Sequence, residues 1–421
     1  MGFNLSKPKI TLLPDFPNWA FDYIARSIAS RLSHRFKFRI EYAASQPEIL
    51  GTETDLVYIF YWNFRPPAYW GLKKNQVIRD VPSWAWELSH HGLKFTKEEF
   101  AANYLNDCVA ATTPCAEIYN ALEPCFPNLV HCPNGVEHKY FSTGYQGVRP
   151  SCRLKIGWVG NPNDEHKVKG LHEILIPATG GYDFVYSHGS MTRRELCQFY
   201  SGIDVLAIAS KSESQPLPLL EAMSAGCFPV CTNVGIVPEI IHSGKNGLVV
   251  ERSIAAFASA FEWCEQNLEM LRAKRRSQTA SVVDESWDVW ANRFGDLFDA
   301  VLKMQSASSG SLPGSMQGAV ERSGKIQNSR DSQDFEQIPI QRLSQLAQTN
   351  WWDLRDAIRR WLMGDRFQKA PGEKIYARIC KTRNWFFAIR RRFRELVIEQ
   401  GGPSAVLKAA KSVFRRFRLL E

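Results

Sequence analysis

The chain has 421 residues, of which 44% are hydrophobic and 12% aromatic, and its formal net charge is +9. This composition excludes an intrinsically disordered protein, and the length predicts two or three domains. The positive charge belongs to the C-terminal fifth, because residues 341–421 contain 19 Lys or Arg and only 7 Asp or Glu. The preceding 340 residues contain 33 and 36 of them, so that part is slightly acidic.

The ten cysteines lack the spacing of a metal site or a disulfide framework, and the closest pair is Cys227 and Cys231. We therefore expect buried thiols in a reducing compartment, with disulfides as the alternative. The first residues contain charge and proline too early for a secretory leader, and no apolar run is long enough to span a bilayer. These features predict a cytoplasmic protein that is soluble or at most peripheral to a membrane.

Short apolar runs alternate with helical patterns along the first 300 residues, which is typical of parallel sheets covered by helices. In the first half, the predicted strands are 9–13, 36–43, 56–61, 76–79, 108–111 and 129–132. The pattern then restarts, and the predicted strands are 153–160, 182–187, 204–210, 228–232 and 246–250. The sequence therefore predicts an α/β fold in which two Rossmann-like domains, 1–145 and 146–304, face a cleft. Ligands bind beyond the carboxyl ends of such strands, so the loops after residues 160, 187 and 210 should border the cleft.

The last part of the chain differs in composition. Residues 305–340 are rich in Ser, Gly and Gln and predict a flexible linker. Residues 341–421 predict a basic helical extension, because Trp and Phe recur there at helical spacing beside Arg and Lys. The extension fits three roles, which we rank in this order: binding to an anionic membrane, packing on a partner subunit, and binding of nucleic-acid phosphates.

Two carboxylates in the segment SESQPLPLLEAMSAG, residues 212–226, carry the chemistry of this sequence. Glu213 lies in a loop after a predicted strand, and Glu221 lies about one turn inside a helix that has Pro218 in its first turn and stops at Gly226. The start of such a helix favours an anionic group, and Glu221 can accept both hydrogen bonds of a ribose diol. Taken alone, the two residues also fit a solvated loop acid and a helix-dipole acid. The arrangement favours a nucleotide sugar as the ligand.

Residues 130–300 resemble glycosyltransferase family 4, whose members are retaining enzymes with the two-domain GT-B fold, and residues 213–241 follow one family motif closely. The usual family pattern is a Glu, then Gly-Phe-Gly-Leu-Pro, two apolar residues and Glu-Ala-Met. Other segments resemble the family in the same order: CPNGVEHKYF (132–141), IGWVG (156–160) with Lys169–Gly170, SGKNGLVV (243–250), and SWDVWANRFGDLF (286–298). The last of these resembles the closing helix that returns to the first domain.

The resemblance implies transfer of a hexose from a nucleotide sugar with retention of configuration and without a metal or another cofactor. Glu213 would contact hydroxyls of the transferred sugar, Lys169 would neutralise the departing diphosphate, and Glu221 would bind the ribose. The acceptor would be a cell-surface glycan or a lipid-linked saccharide, and the extension would suit work at the inner face of a membrane. Further donor contacts are expected from Gly160, Asn161, Lys167, Ser214, Gln215, Pro216, Leu217 and Pro218.

The sequence also departs from the family pattern. Ser214-Gln215-Pro216 replaces Gly-Phe-Gly, which predicts a stiffer and more polar sugar pocket. Asn161 replaces an Arg, a role that Lys167 can take over, and residues 14–22 replace a glycine-rich loop. The acceptor-side candidates are Asn18, Arg79, Asp80, His90 and His91, although the two histidines fit a surface turn better than a catalytic role. Two alternatives stay open: a GT-B protein that binds nucleotide sugar without turnover, and a transferase that acts on protein or nucleic acid.

Overall fold

The computed structural model describes residues 7–64, 71–83, 95–143, 153–163, 167–187, 191–306 and 312–316. Its strands are β1 (Lys9–Leu13), β2 (Lys37–Ile40), β3 (Leu56–Ile59), β4 (Val77–Asp80), β5 (Ala110–Thr113), β6 (Leu129–His131), β7 (Lys155–Trp158), β8 (Asp183–Tyr186), β9 (Val205–Ile208), β10 (Phe228–Cys231) and β11 (Leu248–Val249). Its α-helices are α1 (Ala20–Leu32), α2 (Lys97–Phe100), α3 (Ala116–Leu122), α4 (His138–Ser142), α5 (Ile176–Ala178), α6 (Arg193–Ser201), α7 (Leu217–Ser224), α8 (Val237–Ile240), α9 (Ile254–Gln266), α10 (Leu268–Ala273), α11 (Arg275–Ala280) and α12 (Trp287–Ser306).

The eleven strands confirm the predicted strands, although most are shorter than the apolar run that predicted them. They form two sheets, and all of their pairings are parallel. The order is β2-β1-β3-β4-β5-β6 in the first sheet and β11-β10-β9-β7-β8 in the second. Every residue of β3, β4, β5 and β9 is buried, as expected for parallel strands that helices cover on both faces.

The strand order locates the ligand-binding edge of each sheet. In the first sheet the chain reverses its direction of strand addition at β1, and in the second sheet it does so at β7. Ligands of doubly wound sheets bind in the crevice beyond the carboxyl ends of strands at such a point. The loops after β1, β7 and β9 therefore occupy the positions where a ligand is expected.

We call the part built around β1–β6, together with α12 and residues 312–316, the first lobe, and the part built around β7–β11 the second lobe. Both lobes belong to one compact unit. Helix α12 comes after the second sheet in the chain, yet its residues Phe294, Leu297 and Phe298 are buried in the core of the first lobe. This packing confirms the predicted return of the closing helix. Arg35 adds ion pairs from its Nη2 to Asp296 at 3.0 Å and to Asp299 at 2.7 Å.

Two segments of the chain connect the lobes, and they run side by side. The Val136 N–H donates to Glu285 O at 2.9 Å, and the Trp287 N–H donates to Val136 O at 3.0 Å. A Cβ atom at Gly135 would lie 2.6 Å from the Trp287 backbone, so a side chain there would separate the two segments. The close contact explains the glycine in the Asn134–Gly135 pair.

No helix in the described part of the chain is long and apolar enough to cross a membrane. The predicted basic extension over 341–421 lies outside the described residues, and so does most of the predicted linker over 305–340. Within that linker, Leu312 and Met316 are buried in the core of the first lobe. The Leu312 N–H donates to the Asn128 Oδ1 at 3.1 Å.

Candidate active site

A short ion pair connects the loops that follow β7 and β9. The Lys169 Nζ lies 2.6 Å from the Glu213 Oε1, and the Ser210 hydroxyl donates to the same oxygen at 2.8 Å. The Glu213 side chain is 15% exposed and that of Lys169 is 37% exposed, so both remain accessible to a ligand. The structure thus brings the two predicted catalytic residues together at the carboxyl edge of the second sheet.

Backbone contacts hold these two loops against each other. The Lys211 N–H donates to Val168 O at 2.8 Å, and the Arg252 guanidinium donates to Ala209 O at 2.9 Å and to Lys167 O at 3.2 Å. Gly170 has φ +72°, and a Cβ atom there would lie 2.3 Å from Ala209 O. The glycine beside Lys169 is therefore needed for the close approach, because any side chain would push the lysine away from β9.

Glu221 lies in α7, whose bounds confirm the helix predicted between Pro216 and Gly226. The Tyr200 hydroxyl donates to the Glu221 Oε2 at 2.7 Å. Burial raises the pKa of Glu221, and the bond from Tyr200 and the positive charge of Arg193 act in the opposite direction. A small cavity of about 70 Å³ is lined by Glu221 and Arg193 from the second lobe and by Tyr23 and Ile24 from the first.

Two of the predicted donor-binding residues after β7, Gly160 and Asn161, bond to other residues of the second lobe. The Gly160 N–H donates to the Ser187 Oγ at 3.0 Å, and the Ser187 hydroxyl donates to Gly160 O at 3.0 Å. The Asn161 Oδ1 accepts from the Asn163 N–H at 3.1 Å, which closes a turn. Lys167 adopts a left-handed backbone with φ +51°. Contact of these residues with a donor stays a prediction.

Gln215 connects the predicted donor loop to the segment that follows β6. Its Oε1 accepts from the Asn134 N–H at 2.7 Å, and its Nε2 donates to Asn134 O at 2.6 Å. Gln215 is 8% exposed and Asn134 is 9% exposed, so this amide pair is shielded from water. Ser214 contributes its carbonyl oxygen, which accepts from the Ile236 N–H at 2.7 Å. Gln215, which stands where the family pattern has Phe, thus bonds to the first lobe in this structure.

Removing that amide gives a testable consequence. Gln215→Ala is expected to lower the free energy of unfolding by about 1–3 kcal/mol, because it leaves the buried N–H and C=O of Asn134 without their partners. Urea unfolding followed by circular dichroism measures this loss. Ser212→Ala, in the same loop, is the matched control and should change stability by less than about 0.5 kcal/mol. Equal stability of the two variants would contradict the structural role of Gln215.

The acceptor-side candidates differ in their surroundings. Asn18 is exposed in the loop after β1, has φ +64°, and donates its N–H to the Asp22 Oδ2 at 2.8 Å. Arg79 is buried and binds the Asp107 carboxylate with two hydrogen bonds, of 2.8 and 2.7 Å. Asp80 is buried and accepts from the Thr112 hydroxyl at 2.8 Å. His90 and His91 lie outside the described residues. Contact of any of these residues with an acceptor stays a prediction.

Asp80 makes the stability of the protein dependent on pH. Burial raises its pKa from 3.8 to about 7. The folded state therefore keeps a proton that the unfolded state loses, and stability falls as pH rises from about 4 to about 7. Asp80→Asn removes this effect and keeps an oxygen for the Thr112 hydroxyl. We expect the variant to be more stable than the wild type by about 1–3 kcal/mol at pH 8 and equal to it at pH 4. Urea unfolding at both pH values checks this, and an equal difference at both would contradict it.

Several residues around the site were not singled out by the sequence. In the loop after β1 they include Asp15, Phe16 and Trp19, and the Phe16 and Trp19 rings lie 5.2 Å apart. In the second lobe they include Ser210, Tyr200 and Arg193. An aromatic pair next to an acid is a signal that sequence could have offered, whereas the partners of Tyr200 and Arg193 come from distant segments. Among the described residues, no group of three or more His, Cys, Asp or Glu side chains could hold a metal ion.

Solved structures to which this fold is similar include a glycosyltransferase and the catalytic domain of a starch synthase. A glycosyltransferase from Rickettsia africae superposes with a TM-score of 0.55 at 12% identity, over 72% of this chain and all of that chain. The catalytic domain of starch synthase IV from Arabidopsis thaliana, bound to ADP and acarbose, gives 0.53 at 12% identity, over 71% and 100%. HepE of Anabaena, in complex with UDP and glucose, gives 0.51 at 12% identity, over 70% and 100%. The fold is therefore α/β and GT-B-like.

Sequence comparison defines the second lobe more closely. Residues 155–280 match the family model of glycosyl transferases group 1. A D-inositol 3-phosphate glycosyltransferase from Arthrobacter sp. (strain FB24) is 38% identical over 82 residues, 20% of this chain and 20% of the relative. A protein of that name from Streptomyces griseus is 27% identical over 153 residues, 36% of this chain and 32% of the relative. The match thus spans a third or less of these relatives. Residues 155–280 form a glycosyl transferases group 1 domain, the domain of glycosyltransferase family 4.

Proposed function

We propose that this protein is a retaining glycosyltransferase that moves a hexose from a nucleotide sugar to a saccharide on a growing glycan or a lipid carrier. One observation carries the proposal: inside the group 1 domain, Lys169 and Glu213 form a 2.6 Å ion pair where two neighbouring parallel strands end. That edge of the sheet is where ligands of such folds bind. A cation there can bind the diphosphate of a nucleotide sugar, and a carboxylate there can accept hydrogen bonds from its sugar.

The ion pair suggests how the donor is handled. The Lys169 ammonium would bind the diphosphate and stabilise the negative charge that develops when the bond to the sugar breaks. The Glu213 carboxylate, held by Ser210 at 2.8 Å, would accept hydrogen bonds from sugar hydroxyls. In the described structure the two side chains neutralise each other. The donor would therefore replace part of an existing ion pair, which lowers the cost of burying both charges.

Glu221 would bind the nucleoside part of the donor. It lines the cavity between the lobes, and Tyr200 bonds only one of its oxygens. A ribose diol offers two donors to a carboxylate, as in dinucleotide sites. The loop from Pro216 to Pro218 would then lie between the sugar and the ribose, next to the diphosphate. These positions follow the order of groups in a nucleotide sugar.

The loop after β1 would contribute to the acceptor site. Trp19 and Tyr23, one turn apart at the start of α1, are each 37% exposed. Burial raises the pKa of the neighbouring Asp15 to about 6, and its Oδ1 is buried without a hydrogen bond from the described residues. Aromatic faces and a carboxylate are groups that bind the faces and hydroxyls of sugars. The loop therefore supports a saccharide as the acceptor.

Donor binding tests the proposal first. Calorimetry without metal on UDP-, GDP-, ADP- and TDP-sugars should show one preferred donor; UDP-glucose and ADP-glucose start the panel because the similar structures of HepE and starch synthase IV hold UDP and ADP. Glu221→Gln should weaken the binding of that donor by about 1.5–3 kcal/mol, since a charged hydrogen bond is lost. Glu262→Gln, at an exposed position of α9, is the control. A folded wild type that binds none of them would refute the proposal.

Turnover tests the second half of the proposal. Slow hydrolysis of the preferred donor without acceptor would distinguish an enzyme from a GT-B protein that only binds nucleotide sugar. Acceptors to compare are neutral oligosaccharides, D-inositol 3-phosphate, which appears in the names of the curated relatives, and a saccharide lipid in vesicles. Faster transfer in anionic than in neutral vesicles would support a membrane role for residues 341–421. Transfer to a protein or nucleic acid alone would contradict the saccharide acceptor.

A further inference from the structure

Arg193, the first residue of α6, lies between two aromatic rings that come from other parts of the fold. Its Cζ atom is 5.4 Å from the centroid of the Tyr23 ring and 5.9 Å from that of the Tyr140 ring. Tyr23 belongs to α1 of the first lobe, and Tyr140 belongs to α4, just after the first connection between the lobes. Cation–π contacts with both rings fix the position of the guanidinium group. In the described part of the chain, no hydrogen bond or ion pair of the Arg193 side chain is observed.

The same cavity contains Arg193 and Glu221, and the positive charge of Arg193 acts on the Glu221 carboxylate. Two other polar groups face this carboxylate or share its cavity. The Tyr200 hydroxyl donates to it at 2.7 Å. Glu137 also lines the cavity, but Arg31 binds it with two hydrogen bonds, of 3.0 and 2.9 Å, which match its charge. Arg193 also lines this cavity. No hydrogen bond pairs it with Glu137 in the described structure.

We propose that Arg193 is a positioning residue of the donor site: its charge, held by Tyr23 and Tyr140, keeps the Glu221 carboxylate ionised so that it accepts both hydroxyls of a ribose. This inference rests on the proposed function, which assigns the ribose to Glu221. It adds a residue to the site that neither the sequence pattern nor the resemblance indicated. Because Tyr23 comes from the first lobe, it also makes the ionisation of Glu221 depend on both lobes.

An ionised carboxylate in a small cavity is costly because it has lost part of its hydration. Burial raises the pKa of Glu221, and the hydrogen bond from the neutral Tyr200 donor and, to a smaller extent, the charge of Arg193 act against that rise. A protonated carboxyl group carries no charge and has less acceptor capacity, so it binds the two hydroxyls of a diol more weakly. The guanidinium charge favours the ionised form without occupying either carboxylate oxygen by a hydrogen bond. Donor binding is then strong above the pKa of Glu221 and lost as pH falls through it.

The test measures ionisation and binding separately. Glutamate side chains labelled with ¹³C report ionisation by NMR in the full-length protein without nucleotide, and the Glu221 resonance is identified by its absence in Glu221→Gln. Arg193→Met should raise the pKa of Glu221, whereas Arg193→Lys should restore most of the wild-type value. Arg194→Met removes an equal charge from the exposed neighbouring position and should leave it unchanged. An unchanged pKa in a folded Arg193→Met variant would overturn the inference, whether or not any nucleotide binds.

Calorimetry with UDP, or with the nucleoside diphosphate of the preferred donor, supplies the second readout. Arg193→Met should weaken binding about tenfold at pH 5.5 and less than about twofold at pH 8. In the Glu221→Gln background the same substitution should have little effect, because no carboxylate is left to ionise. An equal loss at both pH values, or an additive loss in the double variant, would show direct contact of Arg193 with the nucleotide and overturn the positioning role. If the wild type binds no nucleotide, the proposed function fails, and the NMR titration still decides the role of Arg193.

Discussion

Lys169→Met is expected to reduce the rate of sugar transfer by about 10²–10³-fold, the usual effect of removing one group that stabilises transition-state charge. The left-handed backbone at Gly170 and the ion pair with Glu213 fix the Lys169 ammonium group. Its position therefore does not have to change when the diphosphate departs. Donor affinity should fall less than the rate, because the charge on the diphosphate increases as the bond to the sugar breaks. The fold should persist, since the side chain is 37% exposed.

Steady-state kinetics with the preferred donor and acceptor measure this effect, together with thermal unfolding. Lys211→Met is the matched control, because it removes an exposed lysine from the same pair of loops while its backbone bond to Val168 remains. It should retain the wild-type rate within about twofold, as ordinary surface substitutions do. A rate within about threefold of the wild type for Lys169→Met would mean that another cation, such as Lys167, stabilises the departing diphosphate.

The second large effect is expected at Gly235, in the loop after β10. Gly235→Ala should lower the free energy of unfolding by about 2–4 kcal/mol and weaken donor binding. The residue has φ +50°, and a Cβ atom there would lie 2.0 Å from Ser214 O and 2.5 Å from Glu213 O. These are backbone atoms, so a rotamer change cannot relieve the clash. The Glu213 loop must move, and its carboxylate then moves away from Lys169.

Gly244→Ala is the control for the conformational part of this cost. Gly244 also has a positive φ, +83°, but a Cβ atom there would meet nothing within 4 Å. Its substitution should cost only about 1–2 kcal/mol, the penalty for an L-residue in the left-handed region. Urea unfolding and calorimetry with the preferred donor distinguish the two glycines. If Gly235→Ala loses no more stability than Gly244→Ala and binds the donor normally, then the loop tolerates the methyl group and Glu213 does not depend on it.

Much of the fold could be predicted because its signals are local. The apolar runs from Lys9–Leu13 to Leu248–Val249 are strands at the predicted places, since a strand covered on both faces needs a continuous buried run. Helix α7 begins after Pro216 and ends before Gly226, which has φ +83°, as the proline and glycine predicted. In the site, the resemblance located Lys169 and Glu213 in their loops.

The roles of individual polar side chains were harder to predict, because their partners are distant in the chain. The Gln215 amide bonds to Asn134, 81 residues earlier, and its contact with a donor stays a prediction. Arg79 and Asp80 are buried in the first lobe and bond to Asp107 and Thr112, and their contact with an acceptor stays a prediction. The type of such a residue does not reveal its bond, since Gln, Arg and Asp can bind a ligand or a neighbouring chain segment equally well.

The sequence by itself determined the two parallel sheets and the glycine and proline limits of α7, because periodicity and backbone restrictions act over a few residues, and its resemblance to a known family indicated the group 1 domain. Only the tertiary structure decided which groups meet. It brought Lys169 within 2.6 Å of Glu213, placed Arg193 between Tyr23 and Tyr140, and fitted Gly235 against the Glu213 loop. These contacts depend on how helices and loops pack against each other. The groups that meet lie in separate segments of the chain, so local sequence patterns do not predict them.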